Sequence, residues 1–322
     1  MVCTQHFKQH PFANSRLRLA TLILTLLAGA LNSTWANSAT PVDRHQHTVI
    51  ADGHPLTVWE KTPTQATAVI LLLHGRTWSS VPDFDLQVPG ESLSFMDGLN
   101  ALGYAVYALD ARGYGATPRD SSGWLTPDQA TRDATRALAW IKTRTDLDIH
   151  LYGWSYGSMV SQLVVQRAPN SVKSVMLFGY PFNPARHIID PNFKYPTQAP
   201  AAANTAANAA SDFIVPGAIS QTAIDTYVAA ALLADPYRVD FKNLHEWAEL
   251  DPSLITTPTL LLQGEFDPLA GPADLPSFFD HIKTADKWWV VLADGDHAAL
   301  LEKPRGKMLQ AIDSFIQSLT TK

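Results

Sequence analysis

In the run Ile149-His150-Leu151-Tyr152-Gly153-Trp154-Ser155-Tyr156-Gly157, an apolar strand pattern ends in Gly-x-Ser-x-Gly and passes into a helix pattern. Glycines two before and two after the serine let the two backbones cross closely and thrust the hydroxyl out of a sharp, strained turn. A serine hydroxyl attacks only with a base beside it, and the base needs a carboxylate to orient it. Downstream, Thr259-Leu260-Leu261-Leu262-Gln263-Gly264-Glu265-Phe266-Asp267 puts acids just past a strand pattern, and Leu292-Ala293-Asp294-Gly295-Asp296-His297 puts a histidine in the loop after the next one. Ser155, His297 and an acid could together carry out nucleophilic acyl chemistry. Glu265 competes with Asp267 for the orienting role, and Asp294 and Asp296 allow His297 to be read instead as part of an acidic surface turn.

These loops need a scaffold that brings strand ends together. Apolar runs at 56–61, 69–73, 105–109, 149–154 and 172–180 alternate with helix patterns at 92–102, 126–144 and 156–167. Thr126-Pro127-Asp128 reads as an N-cap and first turn, and Pro169 closes the third helix. Strands buried on both faces and separated by helices predict a mostly parallel sheet covered on both sides, an α/β fold. In such sheets, loops at the carboxyl ends of the strands line the active crevice.

The alternation stops after Tyr180-Pro181-Phe182. Residues 183–250 carry six prolines, eight alanines among the twelve residues 199–210, and helix patterns at 222–233 and 239–250. The strand pattern resumes at 259–263 and 287–291, with helices near 276–282 and at 302–319. We therefore expect a core of residues 37–182 and 251–322 interrupted by an inserted cap at 183–250, held down by few contacts because alanine has little side chain to bury.

The elbow motif and the chain order Ser155, Asp267, His297 resemble the α/β-hydrolase superfamily, and the likeness runs from about residue 49 to 320. The resemblance implies Asp267 rather than Glu265, since Gly-x-x-Asp is that family's usual acid position. It also implies an oxyanion hole. The N–H of Tyr156 would supply one donor, and His74-Gly75-Arg76-Thr77-Trp78, similar to the family's His-Gly-x motif, the other through the N–H of Arg76. The Arg76 side chain could meet a substrate carboxylate or simply lie at the surface. Trp78 and Trp154 are candidates to wall an apolar pocket, while Asp110-Ala111-Arg112-Gly113-Tyr114-Gly115 resembles a structural turn of the family. His45, His47, His54, His187, His245 and His281 are expected to be structural or solvated, and the His45-x-His47 pair lacks a third metal ligand. No metal or organic cofactor is expected.

Composition narrows the partners. Lys8, Arg16 and Arg18 precede an uncharged run of 13 residues, too short to span a bilayer, and small residues follow up to Ala36. A signal peptide of residues 1–36, cleaved near Ala36, and a periplasmic or secreted product are expected, with no stable membrane anchor afterwards. Removing those three cations leaves 21 basic against 30 acidic residues, a formal charge of about −9 that disfavours nucleic acid. The single cysteine, Cys3, lies in the removed part, so no disulfide framework, thiol nucleophile or lipid-attachment site is expected. The reading that follows is an exported serine hydrolase acting on small carboxylic esters (EC 3.1.1). Its rivals are a proline-iminopeptidase-like peptidase, an acyltransferase, an esterase inactivating an ester or macrolactone antibiotic, and a non-catalytic binder of the same fold.

Overall fold

The computed structural model describes residues 42–181, 193–270 and 275–320. The expected signal segment, most of the first stretch of the expected cap, and His187 lie outside the described residues.

Ten strands and eight α-helices follow one another among these residues. β1 (His45–Ala51), β2 (His54–Lys61) and β3 (Ala68–Leu73) come first, then α1 (Ser80–Phe84), α2 (Phe95–Ala101), β4 (Tyr104–Asp110) and β5 (Trp124–Leu125). α3 (Pro127–Lys142), β6 (Ile149–Trp154), α4 (Tyr156–Arg167) and β7 (Ser174–Phe178) complete the first half. α5 (Ala206–Ala210), α6 (Gln221–Ala234), β8 (Asp240–Phe241), β9 (Thr259–Gly264), α7 (Leu275–His281), β10 (Lys287–Leu292) and α8 (Arg305–Thr320) follow.

Eight strands form one sheet in the order β1-β2-β4-β3-β6-β7-β9-β10. β1 and β2 make an antiparallel hairpin and β2 runs antiparallel to β4; every other neighbouring pair is parallel. The expected mostly parallel α/β sheet is therefore present, with an antiparallel edge whose strand β1 is exposed at alternate polar residues. Chain order reverses at β3, which has β4 on one side and β6 on the other, and such a switch point opens a crevice at the carboxyl ends of the strands.

Side chains alternate between two apolar layers, because consecutive strand residues point to opposite faces. Val69, Leu71 and Leu73 of β3 meet Leu138 and Ile141 of α3 and Val160 and Leu163 of α4 on one side. Ala68, Ile70 and Leu72 meet Phe95 and Leu99 of α2 and Ile312 and Phe315 of α8 on the other. Helix starts follow local chemistry: the Thr126 hydroxyl accepts from the Gln129 N–H with proline at the first turn, and Ser94 caps α2 through the Asp97 N–H. The helix pattern at 92–102 accordingly begins only at Phe95.

Residues 239–250 do not form the expected helix. Asp240–Phe241 pairs in parallel with Trp124–Leu125 as a two-stranded sheet, Asn243 turns left-handed at φ 55°, and only a 3-10 helix, Leu244–Glu249, remains. A tertiary strand pairing has overridden local propensity there. Residues 199–204 also differ from expectation, since backbone bonds tie them down: Ala199 N–H to Ser122 O, Arg238 N–H to Ala202 O and Asn204 N–H to Pro236 O, at 3.0, 2.8 and 3.0 Å.

Candidate active site

Ser155 stands between β6 and α4 at φ 54° and ψ −117°, a left-handed conformation that costs a non-glycine residue about 1–3 kcal/mol. Close packing enforces it. A Cβ on Gly157 would lie 2.2 Å from the carbonyl oxygen of Leu73, and one on Gly153 would lie 2.3 Å from that of Gly157. Only glycine at both places lets the start of α4 press against β3. Ser155 N–H donates to Phe178 O at 2.8 Å, which locks the elbow to the end of β7. Tyr156 is the first residue of α4, so its N–H has no acceptor within the helix and lies at the positive end of the helix dipole.

The loop after β3 runs directly against the serine: a Cβ on Gly75 would be 3.2 Å from that of Ser155. His74 holds this loop. It is buried, its Nδ1–H donates to Gly75 O at 2.7 Å, and its Nε2 accepts from the Ala111 N–H at 3.0 Å. Burial lowers its pKa, so the ring is neutral and structural. Arg76 follows, with its guanidinium carbon 4.7 Å over the Phe241 ring.

On the far side, Asp267 and His297 are brought together from the ends of β9 and β10. His297 Nδ1 lies 2.8 Å from Asp267 Oδ2, and both residues are 3% exposed. The other oxygen of Asp267 accepts from the N–H groups of Leu269 and Ala270, at 2.8 and 3.2 Å. Glu265, the rival acid, is exposed and instead takes the N–H of Asp294 at 3.0 Å. Gly179, at φ 57° just past β7, backs the pair: a Cβ there would be 2.9 Å from His297 Cε1 and 3.3 Å from Asp267 Oδ2. Since the Ser155 backbone binds the adjacent Phe178 carbonyl, the elbow and the histidine–aspartate pair both border the end of β7. Burial alone would lower the His297 pKa, but the hydrogen bond and charge of Asp267, with further help from Asp212 and Asp296, hold it above the usual value of 6.5.

Both candidate tryptophans are buried. Trp154 is 3% exposed and its Nε1–H donates to the carbonyl of His297 at 2.8 Å, so it props the histidine loop. Trp78 is 2% exposed within the apolar layer that holds Phe84 and Tyr152. Three further acids have roles that the sequence did not reveal. Asp296, fully buried, accepts from the N–H groups of Ile214 and Val215 at 2.7 Å each. Asp212 comes from the turn after α5 and is pushed up to about 6, by burial first, with the charge of His297 pulling the other way. Asp83 of α1, fully buried, accepts from the Tyr227 hydroxyl at 2.8 Å and is raised well above the ordinary carboxylate range by burial. A lone acid in a loop has no periodicity by which to find it.

Among the remaining histidines, His47 bonds Glu60 at 2.6 Å, His54 bonds Pro118 O at 2.9 Å, His150 is buried against Ser174 at 2.7 Å and His281 bonds Ser277 O at 2.6 Å. Among the described residues no helix is long and apolar enough to cross a membrane.

Solved structures of the same fold align over most of the chain. A bacterial membrane phospholipase A is 18% identical, with 87% of each chain covered and a TM-score of 0.62. The thioesterase domain of the curacin biosynthetic pathway is 17% identical, covering 84% of this chain and 99% of its own, at 0.59. A thermophilic esterase from Thermogutta terrifontis is 17% identical, covering 86% and 99%, at 0.57. No curated protein matches the sequence. The family model described as serine aminopeptidase, S33 matches residues 64–304. With that match over most of the chain and an α/β-hydrolase sheet around the elbow, this protein belongs to the S33 serine aminopeptidase family of α/β-hydrolases.

Proposed function

We propose that the chain is a serine hydrolase that cleaves carboxylic esters through an acyl-enzyme, with Ser155 as nucleophile, His297 as base and Asp267 as its orienting acid. One observation carries this reading: a strained serine at a strand-to-helix turn shares the end of β7 with a buried histidine–aspartate pair. With Nδ1–H donated to Asp267, the lone pair on Nε2 is left to take the serine proton. Ser155 Oγ then adds to the ester carbonyl, and the Arg76 and Tyr156 amides receive the developing oxyanion, each such donor supplying roughly 3–4 kcal/mol. The imidazolium returns the proton to the departing alcohol, and water repeats the sequence to release the acid.

The names of the esterase, thioesterase and phospholipase neighbours favour ester chemistry, whereas the family description favours a peptidase as the second reading. We further propose that residues 183–250 form a cap that selects substrate over the carboxyl ends of the strands, and that the protein is exported through an N-terminal signal. Incubation with a fluorophosphonate should label Ser155 and no other serine, and 4-nitrophenyl acetate should be hydrolysed faster than proline 4-nitroanilide. Labelling lost in Ser155→Ala is the expected control; labelling elsewhere, or arylamide cleavage alone, would refute the esterase reading.

A further inference from the structure

The sheet ends in two edge strands of opposite character, β1 and β10. β1, His-Gln-His-Thr-Val-Ile-Ala, turns His45, Gln46, Thr48 and Ile50 to solvent, and Arg136 Nε–H donates to the Ile50 carbonyl at 3.0 Å. Polar and charged side chains along an edge keep it from pairing with another chain. β10, Lys-Trp-Trp-Val-Val-Leu, has no such guard. Its one charged residue, Lys287, is turned back onto α7: Nζ donates to the carbonyls of Phe279, Asp280 and Ile282 at 2.8, 3.1 and 2.9 Å and lies 5.0 Å over the Phe279 ring. The rest of the strand is uncharged, and Trp288 is 37% and Val291 53% exposed. Trp288 lies against Phe315 of α8 and Trp289 against Phe279 of α7, with ring centres 5.5 and 5.9 Å apart, so apolar surface continues on both faces of the edge.

The backbone of β10 is equally open. Asp286 O accepts from Thr259 N–H at 2.9 Å and Leu292 O from Glu265 N–H at 3.1 Å, so the even-numbered residues bond toward β9. Alternation then turns the N–H and C=O groups of Lys287, Trp289 and Val291 outward, where no strand among the described residues takes them. Charge selects what could. Exposed Lys283 lies before the amino end of β10, while exposed Glu265 and Asp294 lie at its carboxyl end, and none of the three forms an ion pair among the described residues. A second β10 laid antiparallel brings the basic end of one strand to the acidic end of the other; a parallel copy would set lysine beside lysine and acid beside acid. A two-fold axis at Trp289 opposes Trp289 to Trp289, Trp288 to Val290 and Lys287 to Val291, and it puts Asp294 opposite Thr284, next to Lys283. Moving the axis to Val290 would instead oppose Asp286 to Asp294. The first register forms about six main-chain hydrogen bonds and pairs aromatic with aromatic and with β-branched residues, as stable antiparallel ladders do.

We propose that the β10 edge is a dimer interface, at which a second copy of this chain adds its own β10 antiparallel about a two-fold axis at Trp289 and continues the sheet across both copies. The proposal does not rest on the esterase reading.

Sedimentation velocity of the purified chain should show a dimer with a dissociation constant at or below about 10 μM and no larger species, because a two-fold contact closes on itself. Val291→Lys, at a half-exposed side chain, should leave circular dichroism unchanged while setting a second ammonium opposite the partner's Lys287, and should weaken the dimer at least about thirtyfold. Lys283→Glu, outside the core, should weaken it about fivefold, and adding Asp294→Lys should restore it. Thr48→Lys, on the guarded edge β1, should change nothing. If Val291→Lys does not fold, the loss with Lys283→Glu and its recovery with Asp294→Lys decide the matter. A chain that stays monomeric at about 100 μM overturns the interface, as would follow if the edge served a strand of some other protein. A dimer indifferent to folded Val291→Lys, or one broken by Thr48→Lys, overturns it equally.

Discussion

The elbow region and the segment between β7 and β9 are held in place by different physics. Around Ser155 the chain is fixed by missing side chains: Gly75, Gly153, Gly157 and Gly179 each stand where a Cβ would strike a neighbouring backbone or site residue. The later segment is fixed by carboxylates, buried except for the half-buried Glu246, that accept backbone N–H groups. Asp296 takes those of Ile214 and Val215, Asp235 those of Ser79 and Gly115, Asp240 that of Ala201 and Glu246 that of Asp128. Glycine packing is insensitive to pH and intolerant of any added atom. Carboxylate anchoring tolerates volume but depends on protonation, so the elbow is rigid while the later segment is tunable.

The largest effects should come from the centre itself. His297→Ala should lower kcat by at least about 10³ with circular dichroism unchanged, because triad members act as one unit. Asp267→Asn should approach the same loss and Glu265→Gln should cost less than about twofold, in keeping with the bond each acid makes. A variant of His297 that keeps a tenth of the wild-type rate would show that the rigid centre is not where the chemistry happens.

Next comes a pair of glycine substitutions that sets the two regions against each other. Gly157→Ala drives a Cβ to 2.2 Å from a strand carbonyl and should cost about 3 kcal/mol in urea unfolding. Gly217→Ala, at φ 74° with nothing within 4 Å, meets only backbone strain and should cost about 1 kcal/mol. Equal losses would dissolve the contrast.

Anchoring is probed by Asp296→Asn, whose amide group cannot accept at all the positions that the carboxylate serves. We expect a loss of about 2 kcal/mol, a raised KM, and faster proteolytic cleavage near 211–217, with labelling of Ser155 retained.

The smallest effects concern pH, where activity and stability should run in opposite directions. Activity requires neutral His297, and because its pKa lies above 6.5 in the folded protein, the acid limb of the rate profile should have its midpoint above that value. Stability behaves otherwise. Glu302, pushed up to about 8 by burial first and then by Asp296, keeps a proton in the folded chain that the unfolded chain releases near its ordinary 4.5. The folded state therefore binds more protons between those values, and stability falls as pH rises through them. His297 acts with the same sign, its contribution present below 6.5 and lost above its folded pKa. Tm should be higher near about pH 5 than near about pH 8, and Glu302→Gln should flatten that slope; a Tm that rises with pH would contradict it.

Much of the sheet could be read before any coordinates. β6 and α4 begin and end where the apolar run, the elbow and Pro169 place them, since a strand buried on both faces is a continuous aliphatic run and a helix beside proline has a sharp stop. The candidate centre was legible for the same reason, because each member directly follows a strand pattern. β1 was not legible as a whole: its first residues are polar and solvent-facing. The 239–250 stretch misled because Asp240 and Phe241 answer to β5, more than a hundred residues away in the chain, and not to their own helix propensity.

The sequence by itself determined the strand-and-helix alternation, the elbow and the order of serine, acid and histidine, because periodicity and glycine spacing are local and each acts over a few residues. Only the tertiary structure decided that Asp267 and not Glu265 meets His297, that Trp154 props the histidine loop, and that Arg76 and Tyr156 both pack against Phe241. Those outcomes depend on which strand ends become neighbours and on which buried donors and acceptors find one another, and both are set by sheet register and burial across distant parts of the chain.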